Sequence, residues 1–535
     1  MSGNNFLKGA AVLGTAGFIV KIIGAIYRIP LTNLIGTEGI GYFQPAYQVY
    51  NLLLVISLAG FPTAVARLVS EKMALENPQG AHQIFKLSMR VILVVSVVSS
   101  VTVLIFAKSI AQAIGYPGTY YSLLGLVPAL LIVPVMSVYR GYFQGMQNMM
   151  PTALSQVLEQ LIRFAVGLSL AYMLSSSSLQ KAAGGASFGA SAGGLAGFIF
   201  ILFIYARHRK NIHEKIDNAT NNIEEESGKV ISKLLTIAIP ITMGASIVPL
   251  MGLIDAKLVS MRLAQIGYSV IEATDLYGQL SGTAQTFINF PQVFSIAIAM
   301  SLVPSISNAY TRRDKEALNQ TTDLGMRTSL IIGLPSAFGL YILAEPIIKL
   351  FYPALGPDKH KSVGQLLAIL AISVVFLTVV QSLTAILQAV DKQRIPVKNL
   401  AIGALVKIVL TYVLVGIPSL NVKGAALSTI AAYLTAAALN YWDINKYTEV
   451  KVRLFRIAFR PFIASVVMGA VVYVVYHGGA SIIGVKLSAL AAILCGVAVY
   501  FIALPITGTI KKEDMDLLPK GEKLYKLMNK LKLMK

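Results

Sequence analysis

Charge is what this sequence has least of: Asp, Glu, Lys and Arg make up 13% of its 535 residues, while 56% are apolar. A soluble chain carries roughly a quarter charged residues, so an ordinary cytoplasmic enzyme is excluded. Cysteine occurs once, at Cys495, which rules out an internal disulfide framework and any cysteine-based metal cluster. Five scattered histidines give no zinc-ligand spacing, and no cofactor is expected. What the chain does have is apolar length. About twenty apolar residues cross one bilayer, so it could supply a dozen or more spans. Its net charge of +21, from 45 Lys and Arg against 24 Asp and Glu, then belongs to cytoplasmic loops rather than to a nucleic-acid surface.

No cleavable signal is expected, because Met1–Lys8 is short and polar and the apolar stretch from Gly9 to Ile35 exceeds a signal-peptide core. Apolar windows between polar punctuation predict an all-α integral membrane protein with about fourteen transmembrane helices. They lie near 9–30, 41–66, 87–107, 119–139, 153–174, 185–206, 232–256, 279–306, 321–343, 364–389, 397–417, 424–442, 460–477 and 484–506. The runs are continuous, whereas barrel strands alternate at period two. With both termini cytoplasmic, 31 of the 45 Lys and Arg fall on inner segments, 8 on outer ones and 6 within spans. Dropping one mid-chain span would destroy that bias. The polar stretch Arg207–Lys229 reads as a cytoplasmic linker, and the lysine-rich Lys511–Lys535 as a basic tail, either solvated or resting on anionic lipid.

The two halves repeat. Ile19–Arg28 aligns with Ile247–Ala256, and Phe61-Pro62-Thr63 with Val303-Pro304-Ser305. Gln144-Gly145, Pro151 and Arg163 parallel Gln388-Ala389, Pro396 and Lys407, and Gly185-Ala186 parallels Gly424-Ala425. Four matches in order favour duplication into parallel six-helix repeats, an arrangement common in transporters. The expected organisation is a lobe over 1–206, a linker over 207–231, a second lobe over 232–446, two additional helices within 447–506 and the tail 507–535.

Ionisable groups inside spans are expensive and therefore candidates for function. The basic ones are Lys21, Arg28, Arg163, Lys257, Arg327 and Lys407, opposed by Glu159 and Asp255. A cationic interior suits an anion, because Arg forks grip phosphate oxygens and Lys acts as a point charge. Lys21 and Arg28 stand seven apart and share one helix face. They either line a cavity or snorkel to opposite interfaces. Glu159 and Arg163, at i and i+4, are placed for a same-helix bridge, from which Arg163 could be lent to a phosphate during transport. Asp255 of span seven and Lys407 of span eleven, the latter at Arg163's position in the repeat, are expected to pair across helices. Lys257 is read as an interfacial anchor with gating as the alternative, and Arg67 as a topology anchor at the inner mouth, where an anionic headgroup would enter.

Several stretches carry a family resemblance: Gly36-Thr37-Glu38-Gly39-Ile40-Gly41-Tyr42-Phe43-Gln44, Ser57-Leu58-Ala59-Gly60-Phe61-Pro62, and Arg140-Gly141-Tyr142-Phe143-Gln144-Gly145-Met146 with Pro151, Ser155-Gln156 and Glu159-Gln160. They resemble the polysaccharide-biosynthesis branch of the multidrug/oligosaccharidyl-lipid/polysaccharide exporter superfamily, within it the SpoVB/YtgP group with the MurJ-type lipid II flippases. The resemblance spans essentially the whole chain. It implies translocation of undecaprenyl-pyrophosphate-linked sugar precursors by alternating access, with lipid II as cargo. It also implies a lipid-tail groove bordered by the last two helices and a central cavity lined by basic residues of the first helix, where Lys21 and Arg28 stand. One departure is that the Gram-negative type carries an arginine within helix eight, whereas Tyr277–Tyr310 holds no basic residue.

The expected partners are therefore a polyprenyl-pyrophosphate-linked saccharide and membrane lipids, with the membrane potential or a monovalent cation driving the cycle. No enzymatic activity is expected. The alternatives are a Wzx-like exporter of another lipid-linked unit (capsule, teichoic or spore cortex) and a MATE-type cation or drug antiporter, which would want the opposite charge in its cavity. A glycosyltransferase would need clustered acidic residues or an extended catalytic loop, and the sequence shows neither.

Overall fold

The computed structural model describes residues 3–219, 221–448 and 454–509, and among these there are helices and no strands. In chain order the helices are α1 (Gly3–Leu58), α2 (Phe61–Ala74), α3 (Pro78–Ile114), α4 (Tyr120–Gly145), α5 (Met150–Ser175), α6 (Leu179–Asp217), α7 (Ser227–Gln265) and α8 (Val270–Tyr277). They continue with α9 (Gln285–Thr311), α10 (Lys315–Ile342), α11 (Ala344–Phe351), α12 (Pro357–Ala389), α13 (Arg394–Val415), α14 (Lys423–Tyr447), α15 (Leu454–Ala480) and α16 (Val485–Ile506). The chain is an all-α, multi-pass membrane protein.

Each of the fourteen expected spans falls on these helices, but the count by length and composition is eleven, or twelve with the bent pair α10–α11. Two features account for the difference. The first two expected spans lie mostly on one helix, α1, whose 56 residues bend at Gly36 (φ 67°, ψ −178°) instead of opening into a loop. Only glycine takes that backbone conformation without strain. The second span also stops earlier than expected, at Leu58, before Gly60-Phe61-Pro62 starts α2. The other feature is α14, long enough at 25 residues but rich in Ala, Thr and Asn.

Compact packing divides the chain after Gly278. In the first unit, α5 and α6 pack through a row of glycines at every fourth residue. A β-carbon at Gly189 would fall 2.7 Å from the Arg163 carbonyl oxygen, one at Gly193 2.3 Å from that of Glu159, and one at Gly197 3.1 Å from that of Ser155. Such small-residue rows let helix backbones meet in lipid, where the hydrophobic effect no longer drives association. Helix α7 joins this unit, with Gly60 backed against the Ala238 carbonyl and donating its N–H to Thr242 Oγ1 at 3.2 Å. Contact and repeat thus divide the chain differently, since the repeat pairs α7 with α1.

Of the expected 207–231 linker, 207–217 form the last turns of α6, 227–231 open α7, and the described residues between them, 218–219 and 221–226, are non-helical. That segment is fastened within the unit. Gln83 Nε2 donates to the Glu225 carbonyl at 2.6 Å while Glu225 N–H donates back to Gln83 Oε1 at 3.0 Å. Asn77 Nδ2 donates to the Ile223 carbonyl at 2.6 Å, and the Glu225 carboxylate bridges Lys72 and Lys233.

In the second unit α12 is the most enclosed helix, buried along most of its length from Val363 to Ala389. The two additional helices dock on α10. Tyr500 OH donates to the Ile331 carbonyl at 2.7 Å, and a β-carbon at Gly469 would lie 2.9 Å from Ile342 Cδ1. The tail beyond Thr509 lies outside the described residues.

Candidate functional site

Helix α1 places Gly14, Gly17, Lys21, Gly24 and Arg28 at alternating spacings of three and four, which is one helix face. A β-carbon at Gly14, Gly17 or Gly24 would meet no atom within 4 Å, so this face borders open space. Lys21 is exposed and Arg28 half-buried. The two cations stand about 10 Å apart along the axis, at 1.5 Å per residue.

Arg28 lies within electrostatic reach of Tyr47, and so does Arg163 from α5. The Arg163 guanidinium donates from Nη1 to Tyr47 OH at 3.2 Å and lies 4.9 Å from the centre of that ring and 6.0 Å from that of Tyr27. Tyr27 is itself held by its hydroxyl, which donates to the Ala186 carbonyl at 3.1 Å. Among the described residues, no carboxylate lies within ion-pair distance of Arg163. Its charge rests on two aromatic faces and a phenol, partners that attract a cation without neutralising it.

The bridge expected between Glu159 and Arg163 is not formed. Glu159 Oε2 instead accepts from Arg140 Nη2 of α4 at 2.9 Å, while Arg140 Nε donates to Ser155 Oγ at 2.9 Å. The side chains of Arg140 and Glu159 are 11% and 16% exposed, so the pair is largely withdrawn from solvent. Helix direction explains the change. Close contact with α6 along the glycine row leaves Glu159 to be met from α4 and Arg163 from α1. Arg140, just past the expected fourth span, enters the sequence reading only as part of a family motif, and Tyr27 and Tyr47 carry no sequence signal that separates them from other apolar-face aromatics.

The remaining candidates lie on other helices. Arg67 is exposed and lines a separate polar cavity of about 280 Å³ between α2 and α7, with Glu71, Ser232, Lys233 and Thr236. Lys257 is exposed on α7, and Asp255 is half-buried on the same helix in the first unit. Lys407 is half-buried on α13 in the second unit. That unit also holds an almost wholly apolar groove of about 380 Å³, bordered by Phe287, Phe290, Pro335, Leu340, Met468 and Phe501 among others from α9, α10, α11, α15 and α16.

Comparison with known proteins agrees with this architecture. Residues 6–310 match the family described as polysaccharide biosynthesis protein, and 281–413 match the MatE family. Stage V sporulation protein B of Bacillus subtilis is 28% identical over 97% of this chain and 98% of its own length. The lipid II flippase MurJ of Bacillus subtilis is 27% identical and covers 88% of each chain. Among solved structures, a lipid II flippase MurJ in an inward closed conformation superposes with a TM-score of 0.70 at 17% identity, covering 93% of this chain and 98% of that one. The structural likeness speaks for the fold.

Proposed function

We propose, since this chain belongs to the polysaccharide biosynthesis protein family and through it to the multidrug/oligosaccharidyl-lipid/polysaccharide exporter superfamily, that it is a flippase for a polyprenyl-pyrophosphate-linked cell-wall precursor. Lipid II for peptidoglycan synthesis is the cargo this reading selects, as the name of one relative suggests. The observation that carries it is the open, glycine-flattened face of α1 with Lys21 and Arg28, beside an Arg163 that no carboxylate among the described residues neutralises. Three cations of this kind suit a pyrophosphate, whose oxygens accept bidentate Arg and point-charge Lys contacts together. The apolar groove of the second unit offers the polyprenyl chain a surface without polar groups to desolvate.

The chain acts as a transporter and not an enzyme. The headgroup enters from the inner leaflet and leaves toward the outside by alternating access, with both termini cytoplasmic. An inside-negative potential favours that direction by about 2.3 kcal/mol per charge and 100 mV. A cargo for the spore cortex is a second reading, favoured by the Stage V sporulation protein B relative, which matches more of the chain.

The test is depletion of the protein in a cell lacking other flippases, followed by labelling of lipid II exposed on the outer leaflet. Exposure should collapse and should not return with Lys21→Ala or Arg28→Ala at normal abundance. Unchanged exposure on depletion would overturn the cargo assignment. Full rescue by both variants would overturn the cationic site.

A further inference from the structure

We infer that Arg140 is a positioning residue that keeps Arg163 available to an anion, by occupying the carboxylate that would otherwise neutralise it. The inference rests on the anionic-cargo reading above and deepens it.

The chain sets Glu159 one turn before Arg163 on α5, the order that favours a same-helix bridge. Left to themselves the two would pair, and the site would hold no net charge at that level. The Arg140 fork prevents this by spanning the α5 face one turn away from Arg163, with Nη2 on Glu159 and Nε on Ser155, each at 2.9 Å. Ser155 is fixed in turn by donating to the Thr152 carbonyl at 2.9 Å. Arg140 and Glu159 therefore cancel, and the surplus positive charge is delivered to Arg163, which stands over Tyr47 and Tyr27.

Removing Arg140 would leave Glu159 as a largely buried carboxylate without its partner. An unpaired buried charge is costly enough to drive a side-chain rearrangement, and the nearest remedy is Arg163. An anion would then compete with an internal carboxylate for the same guanidinium. Removing Glu159 has the opposite consequence, because Arg163 keeps its tyrosine seat and the neighbourhood gains a positive charge. A pair that merely fastens α4 to α5 predicts the same sign for both substitutions.

The experiment measures inorganic pyrophosphate binding to the purified full-length protein in neutral-lipid nanodiscs, with thermal unfolding followed in parallel. Arg140→Gln should weaken binding roughly tenfold or more, as expected when an internal charge competes for the site. Glu159→Gln should bind as tightly as the parent or more tightly. The double variant Arg140→Gln/Glu159→Gln should return to within about threefold of the parent, because no carboxylate is left to compete. Weakening by both single variants, or no recovery in the double, would overturn the inference in favour of simple fastening. Parent-like binding by Arg140→Gln would overturn it as well. Should Arg140→Gln fail to fold, Glu159→Gln and the double variant decide by the same criteria. Arg163→Gln separates the two levels of argument. If it binds pyrophosphate like the parent, the anionic site itself is wrong. If it loses binding while Arg140→Gln does not, only the role given to Arg140 is wrong.

Discussion

Arg163 shows how a cation can be held in a membrane-spanning helix without being cancelled. A carboxylate would hold it more firmly and leave nothing for a ligand, whereas an aromatic face and a phenol oxygen provide orientation while preserving the charge. The two contributions of Tyr47 can be separated. Tyr47→Phe removes only the hydrogen bond at 3.2 Å, and bonds to charged groups are worth about 1.5–3 kcal/mol. Tyr47→Leu removes the ring as well, a further loss of roughly 0.5–2 kcal/mol. Pyrophosphate affinity, together with outer-leaflet exposure of the precursor, should therefore fall in the order parent, Phe, Leu. Indistinguishable Phe and Leu variants would mean that the ring contributes nothing. The charges at 21, 28, 159 and 163 stand out in the sequence because ionisable residues are rare in apolar runs. Their pairing does not, because a spacing of four fixes which groups can meet and says nothing of a competitor on another helix.

Helices here are placed by what their glycines permit and by how their ends are tied. Gly193 is the tightest point of the α5–α6 row, with no room for a methyl group beside the Glu159 carbonyl. Gly193→Ala should cost about 1–3 kcal/mol through forced separation of the helices, read as a lower unfolding temperature in detergent. Because the displaced backbone belongs to Glu159, pyrophosphate affinity should fall too, which an equally tight substitution far from α5 would not cause. The 218–226 segment makes a second case. Hydrogen bonds from Lys233 and Lys72 hold the Glu225 carboxyl down at about 2. A depressed carboxyl stabilises the fold above its ordinary value near 4.5, and that contribution is lost as the pH falls from there toward 2. Glu225→Gln should lower the unfolding temperature at pH 7, each lost ion pair being worth roughly 0.2–1 kcal/mol. The difference from the parent should shrink as the pH falls toward 2, and a constant difference would contradict this origin. Most of the spans are readable from apolar length, since lipid demands it, although α14 falls short in composition. The Gly36 bend is not readable, because a loop and a left-handed kink are both signalled by the same glycine-containing stretch. The segment after α6 reads as a linker because it is polar, and the side chains that tie it down lie about 140 residues away in the sequence.

At the scale of the whole molecule, two kinds of order overlap. Duplication pairs α1 with α7 in sequence, yet α7 packs with α1, α2 and α3 in the first compact unit. The repeat is written in short motifs such as Gln144-Gly145 with Pro151, which survive in the sequence because they shape each helix locally. The choice of neighbour for α7 depends on Gly60 meeting Ala238 and on Glu225 meeting two lysines, contacts with no local signature. The charge pattern predicts an orientation in the bilayer. With 31 of 45 basic residues expected on one side, the positive-inside bias predicts that the loops carrying them are cytoplasmic. The single cysteine makes this easy to test. In a Cys495→Ser background, a cysteine at Ser177, between α5 and α6, should react in intact cells with a membrane-impermeant thiol reagent. One at Asn218, just past α6, should react only after the membrane is opened. The α6 helix between them has 39 residues, about 58 Å at 1.5 Å per residue, more than the hydrocarbon thickness of about 30 Å. The two sites must therefore differ if α6 crosses the membrane. Labelling of Asn218→Cys but not Ser177→Cys in intact cells would invert the orientation and, with it, the direction in which the membrane potential assists an anionic cargo.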